Sequence, residues 1–170
     1  MEIAHFNIGS NLGHRLANIS KAVALLSARL GQPLAVSAPV ESAPWGFDSP
    51  NGFLNVGVSF ATDATPAALL VAALAVEREI APGGSHRTAS GVYADRVIDV
   101  DLICVGDVVS DSDPILPHPR MHLRGFVLRP LAEMHPSWIH PRLGLTSGQL
   151  LALIDNKSAD THVNNSKNPD

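Results

Sequence analysis

Val97-Ile98-Asp99-Val100-Asp101-Leu102-Ile103-Cys104-Val105 is an apolar run interrupted by two carboxylates two residues apart. Its length and β-branched content predict a strand. Alternation puts Ile98, Val100, Leu102 and Cys104 on a core-facing side and both Asp99 and Asp101 on the other. Two carboxylates so placed lie about 7 Å apart at the backbone and repel one another. A divalent cation relieves that repulsion, and Mg²⁺ characteristically takes one or two carboxylates together with phosphate oxygens and water. A solvated strand face is the ordinary alternative for an isolated Asp-x-Asp. Gly106-Asp107 beyond the run predicts a tight hairpin into Val108-Val109.

Upstream, Ile3 to Ile8 alternates, with Ala4, Phe6 and Ile8 facing a core and His5 and Asn7 facing away. Gly9-Ser10-Asn11 breaks this strand. Leu16, Ile19, Val23, Leu26 and Leu30 then form one helical stripe that Gly31-Gln32-Pro33 stops. Leu34, Val36, Ala38 and Val40 predict a second strand, and residues 42 to 52, with two Pro, two Gly and Trp45, a long loop. A third strand carries Leu54, Val56, Val58 and Phe60 on one face and Phe53 and Asn55 on the other. Thr65-Pro66 caps a second helix with Leu69, Leu70, Ala73, Leu74 and Glu77 on its apolar side. A polar loop over 83–96 leads back to the Asp-bearing strand.

The order is β-α-β-β-α-β, which predicts an α+β, ferredoxin-like antiparallel sheet with helices on one face and the other free for a ligand. C-terminal additions follow: a helix over about 125–134 and a last helix opened by a Thr146/Gln149 capping box and ending near Ile154. Residues 1–154 form one domain in this reading, and 155–170, polar and Asn-rich, a disordered tail.

Composition narrows the function classes. The 170 residues are 45% hydrophobic with a formal net charge of −4 and no basic run, which argues against nucleic-acid or anionic-membrane partners. One cysteine, Cys104, excludes a disulfide within the chain and reads as a buried small hydrophobe. Without a leader pattern or a long apolar run, the expectation is a cytoplasmic monomer acting on small molecules. Arg96, Arg87 and His86 beside the carboxylates suit nucleotide phosphates. The run Pro117-His118-Pro119-Arg120-Met121-His122-Leu123-Arg124-Gly125-Phe126 adds donors for a triphosphate and an aromatic ring. Phe53 and Asn55 on one strand face suit a flat heterocycle, because an amide both donates and accepts.

Gly9-Ser10-Asn11-Leu12-Gly13, Phe53-Leu54-Asn55, Arg96 to Leu102, and Pro117-His118 through Arg124-Gly125-Phe126 together resemble, in order and spacing over residues 3–154, the signatures of the 6-hydroxymethyl-7,8-dihydropterin pyrophosphokinase family. The resemblance implies diphosphate transfer from ATP to the pterin hydroxymethyl group in folate biosynthesis, with AMP as the other product. It implies that Asp99 and Asp101 hold two Mg²⁺ ions and that Arg96 and Arg87 contact the phosphates. Ser42, Ala43, Pro44, Trp45, Gly46, Phe53, Asn55 and Phe126 would form the pterin pocket. Glu79, Tyr93, Ile103, His118 and Arg124 would contact the nucleotide. Phe53 stands where the family commonly has Tyr. Gly84 and His86 stand where it usually has two arginines, with Arg87 one residue further on. That departure leaves open a homologue that binds pterin or nucleotide with little turnover. A nucleotidyl transferase or cyclase on the same fold is a further alternative, which leaves Asn55 and Phe126 without a role.

Overall fold

The computed structural model describes residues 1–83 and 94–165, with side chains described through residue 158. A five-stranded antiparallel sheet forms its centre. The strands are β1 (Glu2–Ser10), β2 (Ala35–Val36), β3 (Val40–Ser42), β4 (Phe53–Thr62) and β5 (Asp99–Val105). The sheet order is β2-β4-β1-β5, with β3 also on β4. Helices α1 (Arg15–Leu30) and α2 (Pro66–Ile80) connect the strands in the split βαβ manner. The single second strand expected over 34–40 is instead the two short strands β2 and β3. Both pair with β4, which is longer than either.

Alternation along three adjacent strands builds the first core. Ala4, Phe6 and Ile8 from β1, Val56, Val58 and Phe60 from β4, and Val100 and Leu102 from β5 pack against Ile19, Ala22 and Leu26 of α1 and Leu69, Ala73 and Val76 of α2. Leu16, expected in the α1 stripe, is exposed, and Ala22 takes a core place. Thr65 accepts a hydrogen bond from the Ala68 N–H, with Pro66 in the first turn, as the cap chemistry requires.

The opposite face is not free along its whole length. The 3₁₀ turn Met121–Leu123, α3 (Gly125–Met134) and α4 (Ser147–Asn165) cover its far half. There Met121, Val127, Leu128, Leu131 and Leu150 bury Ile103 and Cys104 in a second core. Simple alternation puts Cys104 on the α1/α2 side, and a β-bulge moves it. Phe6 pairs with Leu102 and His5 with Cys104, so Ile103 is an extra residue that reverses the facing of the residues beyond it. Burial pushes the Cys104 thiol pKa up to about 12, keeping it an inert thiol. Gly106-Asp107 does turn the chain, but Val108–Val109 forms no strand; among the described residues the isolated bridges Ser110–Leu116 and Ile139–Thr146 come after it. The Thr146/Gln149 capping box forms reciprocally, at 2.9 and 3.1 Å. The helix it opens continues past Ile154 to Asn165, into the stretch expected to be a disordered tail.

Gly57 and His5 show how tightly α3 is seated. A Cβ at Gly57 would lie 2.7 Å from the Pro130 Cβ and 2.8 Å from the Met134 Cε. Pro130 cannot swing aside, so Gly57→Ala should cost about 1–3 kcal/mol, read as a lowered urea midpoint. His5 is fully buried, and neither ring nitrogen has a hydrogen-bond partner among the described residues. Burial, with a smaller contribution from His135, lowers its pKa to about 3. The unfolded chain therefore binds the extra proton below pH ~6.5, and stability falls from there toward pH 3. At about 1.4 kcal/mol per pH unit, His5 alone removes about 2 kcal/mol by pH 5. His5→Phe should flatten this acid limb in urea titrations at pH 7.5 and 5; an unchanged slope would contradict the assignment.

Candidate active site

Where α3 and α4 do not reach, the sheet face opens into two cavities that share a wall. The first, about 440 Å³ of empty space, has Asn7 and Gly9 of β1 and Phe53 and Asn55 of β4 in its lining, with Ser42 of β3, Ala43, Trp45 and Phe47 of the loop between β3 and β4, and Phe126 of α3. The second, about 870 Å³, lies between the outer side of α2 and the segment 113–119, with Leu70, Leu74, Glu77, Asp101 and His118 around it. Arg96 and Asp99 border both cavities. Asp99 thus stands at the passage between a flat aromatic slot and a larger, more open cavity, with Asp101 in the wall of the larger one.

The slot takes its character from residue parity on β4. Phe53 and Asn55 share a face, and Phe47 meets the Phe53 ring edge-on at 6.2 Å. The Asn55 Nδ2 donates to the Val40 carbonyl at 3.1 Å and to Ser42 Oγ at 2.8 Å. These bonds fix the amide with Oδ1 over Gly9, where a Cβ would approach it to 3.2 Å. A side chain at position 9 would crowd that acceptor. Arg124 closes the slot on the other side. Its guanidinium lies 4.5 Å from the Trp45 ring centroid, 5.6 Å from that of Phe126 and 3.9 Å from Asp101 Oδ2. Pro44 and Gly46 belong to the same loop without lining the slot, and Gly46 makes its turn at φ 83°.

Arg96 contacts Asp99 Oδ2 at 2.9 Å and lies over the Phe53 ring. The break expected at Gly9-Ser10-Asn11 comes only at Asn11, because Gly9 and Ser10 still pair with β4, and Asn11 holds Arg96 there. Asn11 Oδ1 accepts from the Arg96 N–H at 2.7 Å, while Asn11 Nδ2 donates to Asp95 at 2.7 Å and to the Asn51 carbonyl. Asn51 donates to the other Asp95 oxygen. Hydrogen bonds from Ser49, Asn51 and Asn11 hold the Asp95 carboxyl below its ordinary pKa range. One buried amide therefore ties the loop of the first cavity to the backbone that carries Arg96.

His118 lines the second cavity, its N–H bonded to the Ile103 carbonyl at 2.7 Å. Burial, aided by the charges of Arg124 and Arg120, lowers its pKa to about 4. Its Nδ1 accepts from the Arg120 N–H, so the neutral ring carries its proton on Nε2 as a donor. Ile103 itself is wholly buried in the second core, and its connection to the site runs through His118.

Glu79 is not brought to either cavity. It pairs with Arg29 at 2.8 Å on the outside of α1 and α2. Two residues along a helix turn a side chain by roughly 200°, and the carboxylate that faces the site is Glu77. It is buried and accepts from the Val100 N–H at 2.7 Å. A glutamate within an apolar helical stripe was the available signal. Arg87 and Tyr93 lie outside the described residues. Asn7, Asn11 and Phe47 also belong to the site, although their sequence pattern assigns them no functional role. Among the described residues no group of three or more His, Cys, Asp and Glu side chains is arranged to hold a metal ion. The donor set is the Asp99/Asp101 pair, which fits a hard cation that completes its shell with phosphate oxygens. No helix among the described residues is long and apolar enough to cross a membrane.

Similarity to known proteins agrees with this geometry. A protein from Porphyromonas gingivalis named 2-amino-4-hydroxy-6-hydroxymethyldihydropteridine pyrophosphokinase is 40% identical over 143 residues, covering 83% of this chain and 95% of its own. A Methylorubrum extorquens protein of the same name is 36% identical over 157 residues, covering 91% and 95%. The solved structure of wild-type Plasmodium falciparum HPPK-DHPS with pteroate matches with a TM-score of 0.75 at 14% identity, which speaks for the fold alone. The match covers 95% of this chain and 46% of that one. The model of 7,8-dihydro-6-hydroxymethylpterin-pyrophosphokinase (HPPK) matches residues 5–136, a span that holds both cavities and the carboxylates between them. The chain is therefore a member of the 7,8-dihydro-6-hydroxymethylpterin-pyrophosphokinase family, a family of diphosphotransferases.

Proposed function

We propose that the chain transfers the terminal diphosphate of ATP to the hydroxymethyl group of 6-hydroxymethyl-7,8-dihydropterin, releasing AMP, with Mg²⁺ as the required cation. The observation that carries the reading is the Asp99/Asp101 pair at the junction of an aromatic, amide-lined slot and a larger cavity bordered by Arg96 and His118. The pterin fits the slot, with the Asn55 Oδ1 accepting from the ring and Phe53 and Phe126 offering aromatic faces. ATP fits the second cavity, its phosphates toward Arg96, Arg124 and the His118 Nε2–H.

The pterin hydroxyl oxygen attacks the β-phosphorus, and the bond to the oxygen bridging the α- and β-phosphates breaks with AMP as leaving group. Catalysis in this scheme is positioning and charge neutralisation. Asp99 and Asp101 would hold the Mg²⁺, which supplies neutralisation of phosphate charge when bound. Arg96 stays anchored through its backbone N–H to Asn11 while its guanidinium is kept beside Asp99. Trp45, stacked on Arg124, excludes water from the slot side of the junction. No protein nucleophile is needed.

Purified chain incubated with ATP, Mg²⁺ and the dihydropterin should release AMP in step with pterin diphosphate, both dependent on the metal. Pterin binding without AMP would favour a non-catalytic binder and direct attention to Gly84 and His86. Asp101→Asn keeps side-chain size and removes one charge; turnover should drop at least about a hundredfold with the thermal midpoint little changed. Activity near wild type would overturn the assignment of Asp101. Asn55→Ala should raise KM for the pterin about tenfold and leave KM for ATP unaltered. An equal loss for both substrates would refute the placement of the pterin ring.

A further inference from the structure

Asn7 stands at the centre of the site floor. Its cross-strand partners are Gly57 on β4 and Asp101 on β5. Side chains of directly opposed residues on one sheet face lie about 4.5–5.5 Å apart at Cβ, and diagonal ones about 7–8 Å. Asn7 is therefore a direct neighbour of Asp101 and a diagonal neighbour of Asn55, which opposes Gly9. Gly9 and Gly57 contribute no side chains, so the Asn7 amide is the polar group of the central strand that lines the slot. It is 4% exposed, and its Oδ1 has no hydrogen-bond partner among the described residues. Buried polar groups in folded proteins are nearly always paired, so one left unpaired in the floor of a cavity is open to a group that enters the cavity.

We propose that Asn7 is a further substrate-positioning residue. Its amide hydrogen-bonds the edge of the bound heterocycle that carries the hydroxymethyl group and holds that group toward Asp101. The inference rests on the proposed pterin reading and extends it. Asn55 anchors one end of the ring, and Asn7, one diagonal step nearer the carboxylates, fixes its rotation in the slot. The two amides divide the task because they sit on different strands. A ring held by Asn55 alone could pivot about that contact, and the distance from its hydroxymethyl oxygen to the phosphate would vary.

The test uses the full chain and the variants Asn7→Ala and Asn7→Ser. Equilibrium binding of 6-hydroxymethyl-7,8-dihydropterin is read by fluorescence titration, and KM for each substrate and kcat from AMP release. Asn7→Ala should weaken pterin binding about tenfold, lower kcat, and leave KM for ATP and the thermal midpoint unchanged. Asn7→Ser, retaining a small donor and acceptor, should recover part of the loss. Unchanged pterin affinity in Asn7→Ala overturns the proposal, as does a loss shared equally by both substrates and accompanied by a lower midpoint. A wild-type chain that binds pterin but makes no AMP overturns the catalytic reading alone, since the comparison of affinities still decides the role of Asn7. A wild-type chain that binds no pterin overturns both.

Discussion

The side chains of β1 are sorted by a period of two, and both neighbours, β4 and β5, are locked to it by antiparallel hydrogen bonds. Every other feature inherits that sorting. One face of the three strands is apolar and carries α1 and α2. The other presents Asn7, Gly9, Phe53, Asn55, Asp99 and Asp101 within a few residues of one another. A slip of one residue between β1 and β5 would turn the carboxylates toward the core and Val100 and Leu102 away from it.

That polar face would be costly if left uncovered along its whole length, and the fold divides it. Ile103 already shares the face of Asp99 and Asp101, and the bulge there turns Cys104 to the same side, so the far half becomes a second core under α3. Gly57 lets Pro130 approach the backbone of β4, setting how closely α3 sits. The near half stays open as the site. Because Arg124 immediately precedes α3, the seating of that helix on the sheet also sets the height of the guanidinium over Trp45 and Phe126. Packing at one end of the sheet thereby shapes the slot at the other.

The electrostatics obey the same division. Asp99 and Asp101 stay partly exposed between cavities, beside Arg96 and Arg124. Nearby, His118 is held neutral, Glu77 is bonded to backbone, and the buried Arg124 keeps a cation beside Asp101. A polyphosphate in the second cavity, as proposed, would meet cationic and neutral donors. The two carboxylates would repel it, and in the proposed reaction a divalent cation would relieve that repulsion. A net charge of −4 is compatible with phosphate binding because the cations are concentrated at this junction.

Alternation, helix caps and glycine-bearing breaks are local, so the β-α-β-β-α-β order, the apolar stripes, the Asp99/Asp101 pair and the shared face of Phe53 and Asn55 were legible in the chain before any folding. The family was legible too, because the order and spacing of its motifs are sequence properties. The rest depends on contacts between residues far apart in the chain. The bulge that redirects Cys104 arises from register between β1 and β5, and local alternation cannot reveal an extra residue. The exchange of Glu79 for Glu77 depends on the rotation of α2 against β5. Asn11 gained its role from Asp95 and Arg96, more than eighty residues away. Asn7 read as one polar residue on a strand until the sheet placed it beside Asp101, because which strand lies opposite is settled by packing and not by spacing.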